Sequence, residues 1–135
     1  MANAIYPKWK AAIMQLTANN SLTGNVKAVL LDLGVYTYST AHQFYTDLTG
    51  VVGSRSPVFT TKTYTLGVFD ADPITFTAVT GNSVEALGIF IDTGTDSTSP
   101  LVSFLDTGVT GLPVTPNGGD IIVTWDDGAN KIFVL

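Results

Sequence analysis

Two stretches of the chain, Phe90–Gly94 (FIDTG) and Phe104–Gly108 (FLDTG), end an apolar run on Asp-Thr-Gly. An aspartate so placed can pair with a second carboxylate, share one proton with it and activate water against a peptide bond. Asp92 and Asp106 lie 14 positions apart, too close to head two lobes of one chain. In a homodimer with one copy per subunit, the 27 residues after Gly108 would have to supply a flap and closing strands.

The two stretches resemble the hydrophobic-Asp-Thr-Gly signature of aspartic proteases, but the spacing argues for turns. Asp bonds its own backbone and Gly accepts positive φ, so the pair ends a strand and reverses the chain. "LDLG", "IDTG" and "LDTG" recur without a fixed period, as strand endings do. His42 is the only histidine, and a Ser-His-Asp device needs a nucleophile and an orienting group beside it. A helix-face or partly buried histidine is the expectation. Asp70-Ala-Asp72 and Asp126-Asp127 offer oxygen ligands for calcium, yet the single glutamate, Glu85, leaves no bidentate residue for a helix–loop–helix calcium loop. "GNSVEALG" lacks the Lys-Ser/Thr of a phosphate loop. Trp9, Trp125 and the tyrosines suit a sugar-binding face, while Tyr36 and Tyr38 at i, i+2 suit a packed strand equally well. The reading is no enzyme, no metal and no cofactor.

Composition narrows the class. At 135 residues the chain reads as one domain, residues 1–135, able to bury about two-thirds of its unfolded surface. Cysteine is absent, which removes disulfides, thiolate catalysis and Cys-based zinc sites. The start "MANAIYPKWK" has no apolar run before its lysines, so no secretory signal is expected. No stretch approaches the ~20 apolar residues of a membrane span. Charged residues make up 13% of the chain, against roughly 25% in an average soluble domain. Mean hydropathy is +0.32. A threonine-rich surface, or surface covered by other chains, accounts for such values. Net charge is −5 with six unclustered Lys and Arg, so the basic footprint of a nucleic-acid binder is missing.

The elements that would position these residues are mostly strands. "IYPKWKAAIMQL" predicts a helix over about 6–17, with Pro7 at its first position. Trp9, Ile13 and Leu16 form its apolar stripe. "NVKAVLLDLG" predicts a strand apolar on both faces. Thr40 with Gln43, then Phe44, Leu48 and Gly50, predict a second short helix over 40–49. Strands are expected near 58–68, 74–79, 84–92, 101–106, 121–125 and 131–135, separated by turn-rich segments. Ile121, Val123 and Trp125 alternate with Ile122 and Thr124. The loop "DDGAN" and the stretch Lys131–Leu135 then predict a closing hairpin, with Ile132 and Val134 on one face and Phe133 and Leu135 on the other. The fold expected is mainly β: an antiparallel β-sandwich, jelly-roll-like, or a small barrel. So apolar an end must be tied into a sheet or onto a neighbour. Trp9, Ile13, Leu16, Trp125, Ile132, Phe133 and Leu135 are the candidate docking or interface residues.

"MANAIYPKWKAAIMQL", "GVFDADPITFTAVTGNSVEALGIFIDTGT" and "DTGVTGLPVTPNGGDIIVTW" with its following "IF" together resemble small structural proteins of tailed bacteriophages. The likeness covers most of the chain and carries no catalytic motif. It implies a virion component made in the host cytoplasm: a capsid decoration or cement protein on the outer head surface. Its partners would be the major capsid protein and further copies of itself, as a trimer or dimer, with no nucleic acid and no membrane. The competing expectation is a carbohydrate- or receptor-binding module of a fibre or tail.

Overall fold

A computed structural model describes residues 3–135. The domain is mainly β, with antiparallel sheets in a sandwich-like arrangement and one α-helix. Its strands are β1 (Ala4–Ile5), β2 (Val26–Leu31), β3 (Val51–Val52), β4 (Val68–Phe69), β5 (Ile74–Phe76) and β6 (Ala86–Ile91). β7 (Leu101–Leu105), β8 (Val109–Thr110), β9 (Ile121–Trp125) and β10 (Phe133–Val134) follow, and α1 spans Pro7–Met14.

The continuous apolar runs make the central strands. β6 and β7 are buried at every position and β2 at all but Lys27, so these three strands are covered on both faces. They form the middle of a five-stranded sheet ordered β1-β7-β6-β2-β3. The outer strands β1 and β3 are only two residues long. Residues 36–48 lie over one face: Tyr36 and Tyr38 stack near Phe104, Tyr45 near Phe90, and Leu48 approaches Gly88. β9 shows the alternation of a half-buried strand, with Ile121, Val123 and Trp125 inside and Ile122 outside. It lies between β5 and β8, and β4 pairs with β10 in a separate ribbon. These smaller sheets bring Phe69, Trp125 and Phe133 into an aromatic cluster with Phe59 and Trp9. All join one hydrophobic core. Gly111, at φ 110°, lets the β8 turn press on β9; a Cβ there would stand 2.3 Å from the Ile122 carbonyl oxygen.

Four local expectations are corrected. The helix ends at Met14, not near residue 17. Leu16 adopts φ 53° and leaves the apolar stripe. The helix expected over 40–49 is a single 3₁₀ turn, Tyr45–Asp47. The aromatic residues of this segment spread across the sheet, and one helical stripe could not do that. The Asp47 carboxylate holds the turn by accepting from the Gln43 and Phe44 N–H groups, in place of a Thr40–Gln43 box. The strand expected over 58–68 is irregular, because Thr61 and Leu66 take left-handed backbone; only Val68 enters a strand. The closing hairpin does not form. β10 pairs with β4, Phe133 opposite Phe69 and Val134 opposite Val68, while both edges of β9 are taken by β5 and β8.

Candidate interaction surface

The two Asp-Thr-Gly turns stand at opposite ends of the central sheet. β6 and β7 are antiparallel, so Asp92, after β6, lies near the start of β7, and Asp106 lies beyond its end. Five residues of β7 at ~3.3 Å each separate them, and they share no proton within one chain. Asp92 accepts from Lys27 Nζ at 2.8 Å and lies 3.6 Å from Arg55, which also binds Asp96 and stacks 4.0 Å above the Tyr45 ring. The Lys27 bond, then the Gly94 N–H, hold the Asp92 carboxyl below the usual carboxylate range. The "FIDTG" turn is thus an ion-paired clamp over the end of the sheet.

His42 sits in a chain of bonds rather than beside a nucleophile. Tyr6 and Tyr36 share a hydroxyl bond of 2.7 Å, and the Tyr36 hydroxyl meets His42 Nδ1 at 2.8 Å. Burial pushes the Tyr6 hydroxyl far above its ordinary value, and Tyr36 rises for the same reason. Both phenols therefore stay protonated and serve as a buried strut. Asp72 accepts from the Thr60 and Thr61 hydroxyls, and Asp126 from the Gly128 N–H. Among the described residues, no group of three or more His, Cys, Asp or Glu could hold a metal ion.

The seven docking candidates divide. Trp9 docks on the protein's own core, its Nε1 donating to the Asn20 carbonyl at 3.1 Å and its ring edge-on to Phe133. Trp125, Ile132 and Phe133 are buried as well, and Trp125 Nε1 donates to the Asp72 carbonyl. These four hold the fold and offer little to a partner. Ile13 is half-buried against the core. Leu16 and Leu135 are exposed, so Leu16 does not dock α1 as the stripe implied.

Two of the outward members, Ile13 and Leu135, belong to a surface that the helical spacing did not reveal. Ile13, Leu22, Tyr64 and Leu135 line an apolar groove of about 220 Å³ beside Trp9. Leu66 precedes Gly67, whose carbonyl accepts from the Leu135 N–H. Leu66 is 95% exposed and Leu16 is 91% exposed, and each holds φ 53°. Left-handed backbone costs a leucine about 1–2 kcal/mol, and exposing the side chain recovers none of it. Met14 and Val134 are also exposed. The sequence signal for Leu22 and Leu66 was an apolar residue inside "SLTG" and "TLG", turn segments where polar side chains are usual.

Compared with known families and with curated proteins, the chain matches no family model and no curated sequence. No helix among the described residues is long and apolar enough to cross a membrane.

Proposed function

We propose that this protein is a capsid decoration, or cement, protein of a tailed bacteriophage. As a homo-oligomer it binds the outer surface of the head shell and bridges capsomers without chemistry. The observation that carries the reading is the apolar groove lined by Ile13, Leu22, Tyr64 and Leu135, together with exposed Leu16 and Leu66, both held in left-handed backbone. Contiguous exposed apolar surface marks contact with another macromolecule, and strained residues persist where function requires them. The low charge and the likeness in phrasing to phage structural proteins supply the kind of partner. Copies joined to one another and to a shell attach multivalently, so modest contacts become firm attachment. A protein that binds the assembled shell and not its separated parts stabilises the shell.

The test compares particles carrying the protein with particles stripped of it, under heat and osmotic shock. Stripped particles should lose DNA at lower temperature, and adding back the protein should restore them. A Leu66→Asp, Leu135→Asp double variant should fold and fail to restore. Equal DNA retention with and without the protein removes the cement role, and copurification with tails instead of heads removes the capsid location.

A further inference from the structure

On the other side of α1 from the apolar groove lies a second groove, of about 530 Å³, bounded by the helix, residues 17–20, residues 43–44 and the 98–100 turn. That volume falls within the roughly 300–1,000 Å³ of small-ligand sites. Its lining carries four amide side chains, exposed Gln15 and Asn19, half-buried Gln43 and buried Asn20, together with half-buried Phe44 and buried Trp9 and Pro100. Among the described residues, the side chains of Gln15, Asn19 and Gln43 make no hydrogen bond within the protein, whereas the Asn20 amide is spent on the Thr17 and Ala18 carbonyls. From this groove we infer that the protein binds a neutral saccharide, independently of the capsid reading.

The chemistry of the walls selects the ligand class. Each amide offers two donors and an acceptor within one plane. Sugar hydroxyls both donate and accept, so a fan of amides satisfies them, while the carbon–hydrogen face of the ring meets half-buried Phe44. Lys8 is the only charged side chain on the groove, too little to hold a phosphate or a polyanion. An extended peptide needs free backbone groups to pair with, and those along residues 43–44 and at the end of α1 are already used. The Gln43 and Phe44 N–H groups donate to Asp47, and the Gln43 carbonyl accepts from the Leu101 N–H. The Gln15 and Thr17 N–H groups close the end of the helix. The backbone of residues 17–20 is also held before a ligand arrives. Buried Asn20 donates to the Thr17 and Ala18 carbonyls and accepts at its own carbonyl from Trp9, which sets the turn that presents Asn19.

The experiment is a nuclear magnetic resonance titration of the whole chain with maltohexaose, cellohexaose and chitohexaose, each to about 10 mM, ten times the ~1 mM of weak binding. At least one should shift the side-chain amide signals of Gln15, Asn19 and Gln43. Gln15→Ala and Gln43→Ala remove side chains that bond to nothing, so both should fold, and each should weaken binding about threefold to tenfold. No shift with any of the three sugars overturns the assignment, as does binding that maps elsewhere or survives both substitutions. Shifts from a pool of unstructured neutral peptides, with none from the sugars, overturn it in favour of a peptide site.

Discussion

Leu66 illustrates how much a single residue can report. Its side chain touches solvent, and its backbone sits where leucine is disfavoured. Leu66→Gly should therefore stabilise the isolated protein by up to about 1 kcal/mol, the steric relief outweighing the entropy that glycine adds to the unfolded chain. The same substitution should weaken attachment to the shell; a raised thermal midpoint with unchanged attachment would make the residue a mere imperfection of the turn. Trp9→Ala should cost about 3–5 kcal/mol, read from the denaturant midpoint, because it empties a buried site and leaves the Asn20 carbonyl without its indole partner. Asp92 gives the pH dependence. Its folded carboxyl titrates below its unfolded value, so its contribution is complete above about pH 4 and disappears as pH falls through the lower, folded value. Asp92→Asn should lower stability at neutral pH by about 1.5–3 kcal/mol and flatten the acid limb of a plot of urea midpoint against pH.

At the scale of elements, the sequence was legible where burial is uniform or strictly alternating. The runs VKAVLL, ALGIFI and LVSFL are so apolar that only central strands could hold them, and IIVTW alternates cleanly. It was illegible where a partner far along the chain decides. Nothing near Phe133 announces that Phe69, rather than Trp125, will lie beside it. Likewise, nothing in 36–48 announces that Phe90 and Phe104 draw its aromatic residues out of helical register. The candidate surface was half visible for the same reason: spacing marks apolar residues, and only packing decides which stay outside. The observed pairing separates two kinds of truncation. Removing Lys131–Leu135 takes Ile132 and Phe133 from the core and, among the described residues, the only partner strand from β4, so far-ultraviolet circular dichroism should show a largely unfolded chain. Removing Leu135 alone should preserve the spectrum and the core while trimming the apolar groove.

The whole molecule sets its two candidate surfaces on either side of one helix. The apolar groove lies on the Ile13 side, and the amide-lined groove on the Gln15 side. Substitutions on one side should leave the other intact: Gln43→Ala particles should survive heat like wild type, and the Leu66→Asp, Leu135→Asp variant should titrate with sugar as before. The buried Tyr6–Tyr36 pair ties the chain's first turn to the segment that covers the sheet. Tyr36→Phe leaves the Tyr6 hydroxyl buried without this partner and should cost about 1–3 kcal/mol, measured by urea unfolding.

The pairing of β1 with β7 also governs the order of events at the ribosome. Ala4 lies opposite Phe104, and Ile5 opposite Ser103, so β1 leaves the exit tunnel roughly a hundred residues before its neighbour exists. Over that interval Tyr6 lacks the Val102 carbonyl that its N–H bonds, and Trp9 lacks the Phe133 ring. Closure between such distant segments is slow, in the millisecond-to-second range of non-local β topologies. Nascent chains arrested before Leu101 should therefore be digested by protease throughout, and chains released past Leu135 should become resistant in a single step.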